Sequence, residues 1–479
     1  MAFHYFCGMA RFTPRIIPNI QITGIAEDTY AVGRTPEGIV CFVEGAVPGD
    51  VVDVLVFNKK KGYFQGSMQR LITPSPDRIA PPCIHFGICG GCKWQHLAYH
   101  RQLSEKENRV YQAIQRLGKV EPEERLPIMG CEQTYFYRNK LEFTFSNKRW
   151  LTREEMNLQE MPRKEPGLGF HRPGAFDQIV DIDECLLQAD PSNELRNFIR
   201  EFTKAREWAY FNVRSREGWL RNLIVRTTSI GEVMIVLSVH YEQPEWIEEL
   251  LSVLDHRFPQ LTTICYVINP KANDTISDLD YTVWKGPGYI VEVLGGIKYK
   301  IGPKSFFQTN TPQTLRLYEA AVRFADIRPH HIIYDFYTGL GSIALFVARQ
   351  CKKVIGVENV EAAIEDAKEN ARWNNITNAE FIAGDMKDVF NQEFTSTHGR
   401  ADVIITDPPR AGMHGDVIES LLELAAPRIV YISCNPATQA RDINLLSVKY
   451  KLDKIQPVDM FPHTNHVESI ALLTLISSV

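Results

Sequence analysis

Long apolar runs are missing from this 479-residue chain. None approaches the roughly 18 to 20 residues a membrane-spanning helix requires. The stretch from Met1 to Arg15 is rich in aromatics but lacks an apolar core of signal-peptide length. A cytoplasmic location is therefore the expectation, with Met9 an alternative start to Met1. Basic charge is not in surplus either. The net charge is -5, so any contact with nucleic acid must come from local basic patches. Internal repeats and low-complexity tracts are absent. What remains is the composition of a globular protein, 44% hydrophobic and 23% charged, long enough for about three domains.

Cysteine is present but not as a disulfide framework. The ten cysteines are mostly scattered singly among apolar residues, which in a cytosolic chain of this size argues against structural disulfides. Cys41, Cys265 and Cys351 read as small core residues. Two sets stand apart: the cluster from Cys83 to Cys92, and Cys434.

Residues 13–74 alternate short β-rich runs with turns, such as Val51–Phe57 and Tyr63–Ile72, and predict a small antiparallel barrel. Between those runs lies a polar tip, Asn58 to Gly62, carrying Lys59, Lys60 and Lys61. Basic and aromatic residues on a small barrel make a candidate RNA surface; a solvated turn with two half-buried aromatics is the plainer reading. Pro74, Pro76, Pro81 and Pro82 mark a linker. A helix is predicted over about 96–117, and a strand-rich central region runs over 75–303, with strands at 136–145, 220–228 and 233–240. From 304 to 479 a helix at 311–324 leads into alternating strands and helices. The strands, at 331–335, 353–358, 402–407 and 428–433, predict a parallel, doubly wound sheet with its working residues at the carboxyl ends of the strands.

After the first of these strands comes Asp335-Phe-Tyr337-Thr-Gly339-Leu-Gly341-Ser342. Its glycines allow a tight strand-to-helix turn and close approach of a ligand. Glu358 ends the second strand, where a carboxylate can accept from both ribose hydroxyls, and Gly384-Asp385 follows the third. Turn, acid and Gly-Asp after three successive strands is the layout of class I S-adenosylmethionine methyltransferases. A redox Rossmann domain would call for a third glycine, which is missing.

Asp407-Pro-Pro-Arg410 ends the fourth strand. Enzymes that methylate exocyclic amines carry an aromatic where Arg410 stands. Cys434, in Ser433-Cys-Asn-Pro436, ends the fifth strand. C5 of uracil is a poor nucleophile until something adds at C6, and a thiolate can do so. Cys434 is the candidate for that attack, its plainer reading being a buried strand-end thiol. Cytosine-C5 enzymes carry their nucleophile on the fourth-strand motif, which has no cysteine here. The adduct must then lose its C5 proton to a base. Phe461-Pro-His463-Thr-Asn-His466-Val-Glu468 supplies Glu468, with His463 and His466 as alternatives.

With these motifs in view, the chain resembles the RNA m5U methyltransferase family, and within it the RumA/RlmD-type 23S ribosomal RNA (uracil-5-)-methyltransferases, over most of 13–479. The resemblance implies Cys434 as nucleophile and Glu468 as proton-abstracting base. It implies donor contacts from Gln308 (in Ser305-Phe-Phe-Gln-Thr-Asn310), Tyr337, Glu358 and Asp385, with Gly339 and Ser342 in the same turn. Asp407 falls at the cofactor and uracil pocket. The family turn usually carries Cys-Gly where Tyr337-Thr-Gly339 stands. Residues 13–72 resemble a TRAM domain, an RNA-binding β-barrel.

The cluster Cys83-x5-Cys89-Gly-Gly-Cys92 supplies three soft ligands and needs a fourth. The resemblance implies Cys185 and a [4Fe-4S] cluster, structural or RNA-positioning. Spacing alone permits zinc equally, and Cys131 is a weaker fourth ligand. Arg138 and Lys140, in Tyr137-Arg-Asn-Lys140, resemble a family RNA-contact motif or are an ordinary cationic strand edge. The target uridine must be single-stranded or flipped. Barrel and cluster together favour 23S ribosomal RNA over transfer RNA. The competing readings are a transfer-RNA or two-site m5U enzyme, a catalytically inactive RNA-binding protein, and a cytosine-C5 enzyme. No protein partner is indicated.

Overall fold

A computed structural model describes residues 13–26, 30–156, 165–390 and 392–476. Cys7, Met1 and Met9 lie outside the described residues. The chain forms two compact units. The first holds the described residues up to Gly87, with Cys92–Glu105 and His463–Asn465; the second holds Ile88–Gly91, Lys106–Pro462 and the described residues from His466 onward.

In the first unit five strands close into a barrel: β1 (Arg15–Ile25), β2 (Ala31–Arg34), β3 (Val40–Glu44), β4 (Val51–Lys60) and β5 (Tyr63–Thr73), in the order β1-β2-β3-β5-β4. Antiparallel pairing of β1 with β4 seals it, so no sheet edge is left open. Alternate side chains turn inward, and Ile20, Ile22, Val43, Val52, Val54, Val56 and Phe64 fill the interior. Close approach of β4 and β5 depends on Gly66, where a Cβ would stand 2.6 Å from the Leu55 carbonyl oxygen. β4 runs further into the polar tip than the sequence pattern indicates and turns at Lys61–Gly62. Lys59, Lys60 and Lys61 are exposed there, with Lys59 Nζ 5.9 Å from the centre of the Phe64 ring.

The second unit contains two large sheets. Edge strand β6 (Glu124–Arg125) is followed by β7 (Lys140–Ser146), β8 (Gly167–Arg172) and β9 (Ala175–Asp181). Next come β10 (Leu220–Thr227), β11 (Val233–Val239), β12 (Leu261–Ile268) and β13 (Thr282–Lys285). Strands β7 to β13 form a sheet ordered β13-β12-β11-β10-β7-β8-β9. β11 is buried along its whole length and β10 nearly so, as expected of strands covered on both faces. The predicted strand at 136–145 begins only at Lys140. Phe136 adopts φ +54°, outside the extended region, and Tyr137 and Asn139 are committed to contacts elsewhere. The predicted helix at 96–117 is an α-helix over Tyr99–Ala113 whose last turn, Ile114–Gly118, widens to π geometry.

A hairpin of β14 (Ile290–Leu294) and β15 (Ile297–Ile301) leads through 302–310 to the helix Thr311–Ala325. Then come β16 (Ile332–Phe336), β17 (Lys353–Glu358), β18 (Ala379–Ala383), β19 (Val403–Thr406), β20 (Arg428–Ser433), β21 (Tyr450–Val458) and β22 (Glu468–Leu475). Their sheet is ordered β18-β17-β16-β19-β20-β22-β21-β6. β16 to β20 are parallel, and the order reverses between β16 and β19, where ligands bind in such sheets. The all-parallel expectation fails at the far side. β22 inserts antiparallel between β20 and β21. That reversal has a consequence for the site: it brings the first residue of β22, Glu468, to the carboxyl end of β20. Among the described residues no helix is long and apolar enough to cross a membrane.

Candidate active site

At the end of β16 the chain turns through Tyr337 (φ +61°), Gly339 (φ +55°) and Gly341 (φ +83°). A left-handed non-glycine residue such as Tyr337 is sparsely populated, and such strain concentrates at functional sites. Gly341 packs against its neighbours: a Cβ there would lie 3.1 Å from Ala367 and Phe381. Gly339 instead faces open space, with nothing within 4 Å of an added Cβ, so a ligand has room to lie along the backbone. Buried Asp335 braces the turn by accepting from Thr338 Oγ1 at 2.6 Å and Ala344 N–H at 3.0 Å. Burial, with the nearby carboxylates of Asp407 and Glu358, pushes its carboxyl up to about 7.

Glu358 closes the same turn from β17. Its Oε2 accepts from Gly339 N–H at 3.2 Å, and Oε1 accepts from Asn359 and Val360 N–H at 2.9 and 3.1 Å. Asp385 caps the short helix after β18, accepting from Lys387 N–H at 3.2 Å. The Ser342 hydroxyl lies 2.9 Å from Tyr318 Oη, tying the turn to the helix Thr311–Ala325. Gln308 reaches this end of the sheet from the loop after β15 and hydrogen-bonds the Asp407 carboxylate.

The sequence motifs did not reveal how that loop is held. Asn139 donates from Nδ2 to the Gln308 carbonyl at 2.9 Å and to Thr311 Oγ1 at 3.0 Å, and from its backbone to Thr309 O at 2.8 Å. Buried Arg226 donates to Ser305 O at 2.6 Å. Buried polar groups are rarely left unpaired, so a polar residue beginning an apolar strand was the one signal available for Asn139.

β20 and β22 build the acceptor side. Ser433, the last residue of β20, pairs with Ser469; Cys434 follows it directly and Glu468, the first residue of β22, precedes Ser469. Asp407 follows β19, next to β20 in the sheet. The three groups share one field. Burial pushes the Cys434 thiol up to about 11, with Glu468 and Asp407 adding to the rise and Arg410 opposing it. Glu468 is buried, and burial with the Asp407 charge raises it to about 8, again against Arg410. Removal from water lifts Asp407 to about 7, with the Gln308 hydrogen bond opposing. Two carboxyls close together cannot both ionise cheaply. Burial and mutual repulsion therefore favour the protonated form of each of the three groups.

Arg410 is the cation of this cluster. Its Nη2 donates to His466 Nδ1 at 2.7 Å, and its carbonyl accepts from Asn435 Nδ2 at 3.0 Å. Asn435 also caps the helix Pro436–Leu446 by accepting from Ala437 N–H at 3.1 Å. His466 is pushed down to about 4 by burial and by Arg410, Lys106, Arg138 and Arg109, and its Nδ1 already accepts from Arg410. The segment leading to it is pinned by a buried ion pair, Lys106 Nζ to Asp459 Oδ1 at 2.6 Å, and by Lys106 donating to Phe461 O at 3.0 Å. His463 belongs to the first unit, where its backbone N–H donates to Gln102 Oε1 at 2.9 Å and its ring lies 3.2 Å from Gln102 Nε2. Of the three base candidates, Glu468 is the one whose charge bears on the Cys434 thiol.

Among the described residues no group of three or more histidines, cysteines or carboxylates is arranged to hold a metal ion. Cys83 N–H donates to Gln95 Oε1 at 3.3 Å, Cys89 Sγ accepts from Gly91 N–H at 3.4 Å, and Cys185 N–H donates to Asn193 Oδ1 at 2.8 Å. Cys92 is partly exposed. The Cys131 thiol donates to Asp459 O at 2.9 Å, a packing role. The Arg138 guanidinium lies 5.3 Å from the centre of the Phe461 ring. Lys140 is 4.0 Å from Glu142 and held below the usual lysine range by burial and by Arg226.

A sheet with this strand order, a glycine turn after β16, an acid at the end of β17 and another just after β18 are the layout of a class I methyltransferase. Residues 289–476 match the tRNA (Uracil-5-)-methyltransferase family and residues 17–68 the TRAM domain. An uncharacterized RNA methyltransferase of Bacteroides thetaiotaomicron is 50% identical over 454 residues, covering 94% of this chain and all of that one. One from Chlorobaculum tepidum is 36% identical over 468 residues, covering 96% and 97%. A solved tRNA (uracil-54, C5)-methyltransferase of Pyrococcus abyssi, in complex with S-adenosyl-L-homocysteine, superposes with a TM-score of 0.72 at 28% identity over 96% of this chain and all of that one. The chain belongs to the RNA (uracil-5-)-methyltransferase family and carries an N-terminal TRAM barrel.

Proposed function

We propose that the protein methylates C5 of one uridine in 23S ribosomal RNA, with S-adenosylmethionine as donor. The donor, when bound, supplies an electrophilic methyl group on a sulfonium. Gln308, Tyr337, Gly339, Ser342, Glu358 and Asp385 hold it along the open turn after β16, and Asp407 borders both donor and uracil. The Cys434 thiolate adds to C6, making C5 nucleophilic toward the methyl group. Glu468 removes the C5 proton, the C6–S bond breaks, and the thiolate leaves. One methyl enters C5 and one proton departs. The observation that carries this reading is the antiparallel β20–β22 pairing, which ends at Ser433 and Ser469 and leaves Cys434 and Glu468 beside it, within one another's electrostatic reach.

Arg410 has a definite part in this scheme. Its charge favours the thiolate and the ionised form of Glu468, the two states the reaction needs. Asn139 positions Gln308 through the loop that carries it. Lys59, Lys60, Lys61, Arg138 and Lys140 are the RNA contacts proposed from sequence, and the reaction takes place in the cytoplasm. On this reading 13–74, 75–303 and 304–479 divide the labour among barrel, central region and methyltransferase domain.

Cys83, Cys89, Cys92 and Cys185 are the proposed ligands of a [4Fe-4S] cluster. The proposal rests on the thiol chemistry and on the glycine pair between Cys89 and Cys92; among the described residues the thiols are not gathered into a group of three. No step of the reaction is routed through it. Iron and acid-labile sulfide near four each per chain, on anaerobic purification, support the cluster; stoichiometric zinc or no metal removes it.

A second reading has its own support. The Pyrococcus transfer-RNA enzyme matches this chain along nearly its whole length, so overall architecture gives no preference for ribosomal RNA. The deciding experiment supplies labelled donor with total RNA from cells lacking the gene and maps the label by nucleoside mass spectrometry. 5-Methyluridine in 23S fragments supports the proposal. Label in transfer RNA alone transfers the assignment to the second reading, and no label in either leaves an RNA-binding protein without this activity.

A further inference from the structure

On the central sheet, away from the motifs used above, three segments bring arginines and aromatic rings together. The first is the β8–β9 hairpin, with its tip at Pro173–Gly174. The second is Lys148–Trp150, which runs beside β9: Trp150 N–H donates to Ile179 O at 2.7 Å and Ile179 N–H to Lys148 O at 3.2 Å. The third is the turn at 212–217, which carries Arg214.

Their side chains form an ordered surface. Arg172 lies against Trp150, its guanidinium carbon 3.8 Å from the ring centre. Phe176 is 64% exposed, with the Arg214 guanidinium 5.3 Å from its ring centre. Asp177 fixes Arg214 at 2.5 Å and Lys148 at 3.4 Å, one carboxylate between two cations. Arg149 is neutralised by Glu155 at 2.7 Å. Among the described residues no carboxylate pairs with Arg172, whereas Arg214 and Lys148 are held by Asp177. The cysteine-bearing segment Ile88–Gly91 seats on the same hairpin: a Cβ on Gly90 would stand 2.8 Å from the His171 carbonyl oxygen and 3.4 Å from Pro173.

A large aromatic held this far in solvent has no packing benefit, and exposed aromatics beside fixed guanidinium groups are what a nucleic-acid strand uses. Bases stack on rings and on guanidinium planes, while phosphates take the remaining charge. A protein partner would more often call for a continuous apolar patch, whereas here cations alternate with rings. We propose that Trp150, Arg172, Phe176 and Arg214 form a platform for single-stranded RNA flanking the substrate uridine. The proposal rests on the reading of the protein as an enzyme that acts on an RNA segment, and it adds a binding surface none of the motifs indicated. Because Gly90 leans on the hairpin, the cysteine segment braces the platform.

The test is direct binding of full-length protein to unstructured RNA, read by fluorescence anisotropy, in Phe176→Ala and in Arg172→Glu/Arg214→Glu. Phe176 is exposed, so its removal leaves the fold intact; S-adenosylhomocysteine affinity by calorimetry, equal to that of wild type, checks this. Removing one stacked base is expected to weaken RNA binding about 5- to 100-fold. The charge reversals are expected to lower the slope of log affinity against log salt by ~0.7 for each phosphate no longer neutralised. In methylation assays the RNA KM rises while kcat at saturation is kept. RNA affinity and salt slope equal to wild type in both variants overturn the platform, even if the wild-type enzyme methylates RNA. A wild-type protein that binds RNA through this surface but labels none separates the failure of the methylation reading from that of the platform.

Discussion

Ser433, the last residue of β20, pairs with Ser469 on the antiparallel strand β22, which brings Cys434 and Glu468, the residues on either side of that pair, to the same end of the sheet. The proposed nucleophile and the proposed base, 34 residues apart in the chain, thus come together where β20 ends and β22 begins. Asp407 and Arg410 share their field.

Replacing the thiol tests its role most directly. Cys434→Ala is expected to bind S-adenosylhomocysteine as wild type does, to form no covalent complex with 5-fluorouridine RNA, and to lose about four orders of magnitude or more in kcat. A gel-stable adduct in this variant would remove Cys434 from the mechanism.

Glu468→Gln separates the base from the nucleophile. Methylation is expected to slow about 10²- to 10⁴-fold, with covalent protein–RNA complex accumulating because addition still occurs while C5 proton loss does not. Turnover at the wild-type rate would assign the base elsewhere.

The same substitution carries a stability signature. The Glu468 carboxyl is raised from 4.5 to about 8 in the folded protein. The folded state thus binds its proton more tightly than the unfolded state does. That advantage is full below about pH 4.5 and lost as pH rises through about 8. Glu468→Gln keeps a neutral group at all pH, so its stability should exceed that of wild type increasingly across this window, by up to a few kcal/mol at ~1.4 kcal/mol per pKa step. Melting curves recorded across the pH range check this, and a pH-independent difference between the two proteins would refute the buried, proton-retaining carboxyl.

Arg410→Ala removes the cation that opposes the rise in Cys434 and Glu468. Both should then ionise at higher pH, moving the rising limb of the kcat/KM profile toward alkali. Activity near neutrality is expected to fall about tenfold, with partial recovery as pH is raised. A uniform loss at every pH would mean that Arg410 acts only by holding His466 and Asn435.

Asn139→Ala deletes the two side-chain hydrogen bonds that hold the Gln308 loop, each worth roughly 1 kcal/mol or more when its partner is left unsatisfied. Donor affinity, measured by calorimetry with S-adenosylhomocysteine, is expected to fall about tenfold while the 5-fluorouridine adduct still forms at saturating donor. Unchanged affinity would show that the Asn139 backbone bond to Thr309 O and the Arg226 bond to Ser305 O suffice to hold the loop.

Much of the molecule was legible in the chain because its signals are local. Alternating valines along β4 and the glycine at its turn mark the barrel. β17 and β20 begin and end where their apolar runs do. Asp335, Glu358 and Asp385 each sit at or just after a strand end, so a strand-turn-helix pattern was enough to put them at one end of a parallel sheet. Other features depend on partners distant in sequence. Phe136 takes a left-handed backbone, and the strand after it begins late, where the N–H groups of Phe136, Arg138 and Asn139 are bonded to Leu186, Leu187 and Thr309 carbonyls. The reversal of β22 is set by which sheet neighbours remain for the last two strands, and no pattern within 450–475 states it. Arg172 and Trp150 come from segments that only the β7–β9 sheet brings together. Short-range periodicity and turn chemistry determined which elements form and which residue types are at hand. Register, long-range hydrogen bonding and burial, which exist only once the chain is packed, decided which carboxyl faces the thiol and how both hold their protons.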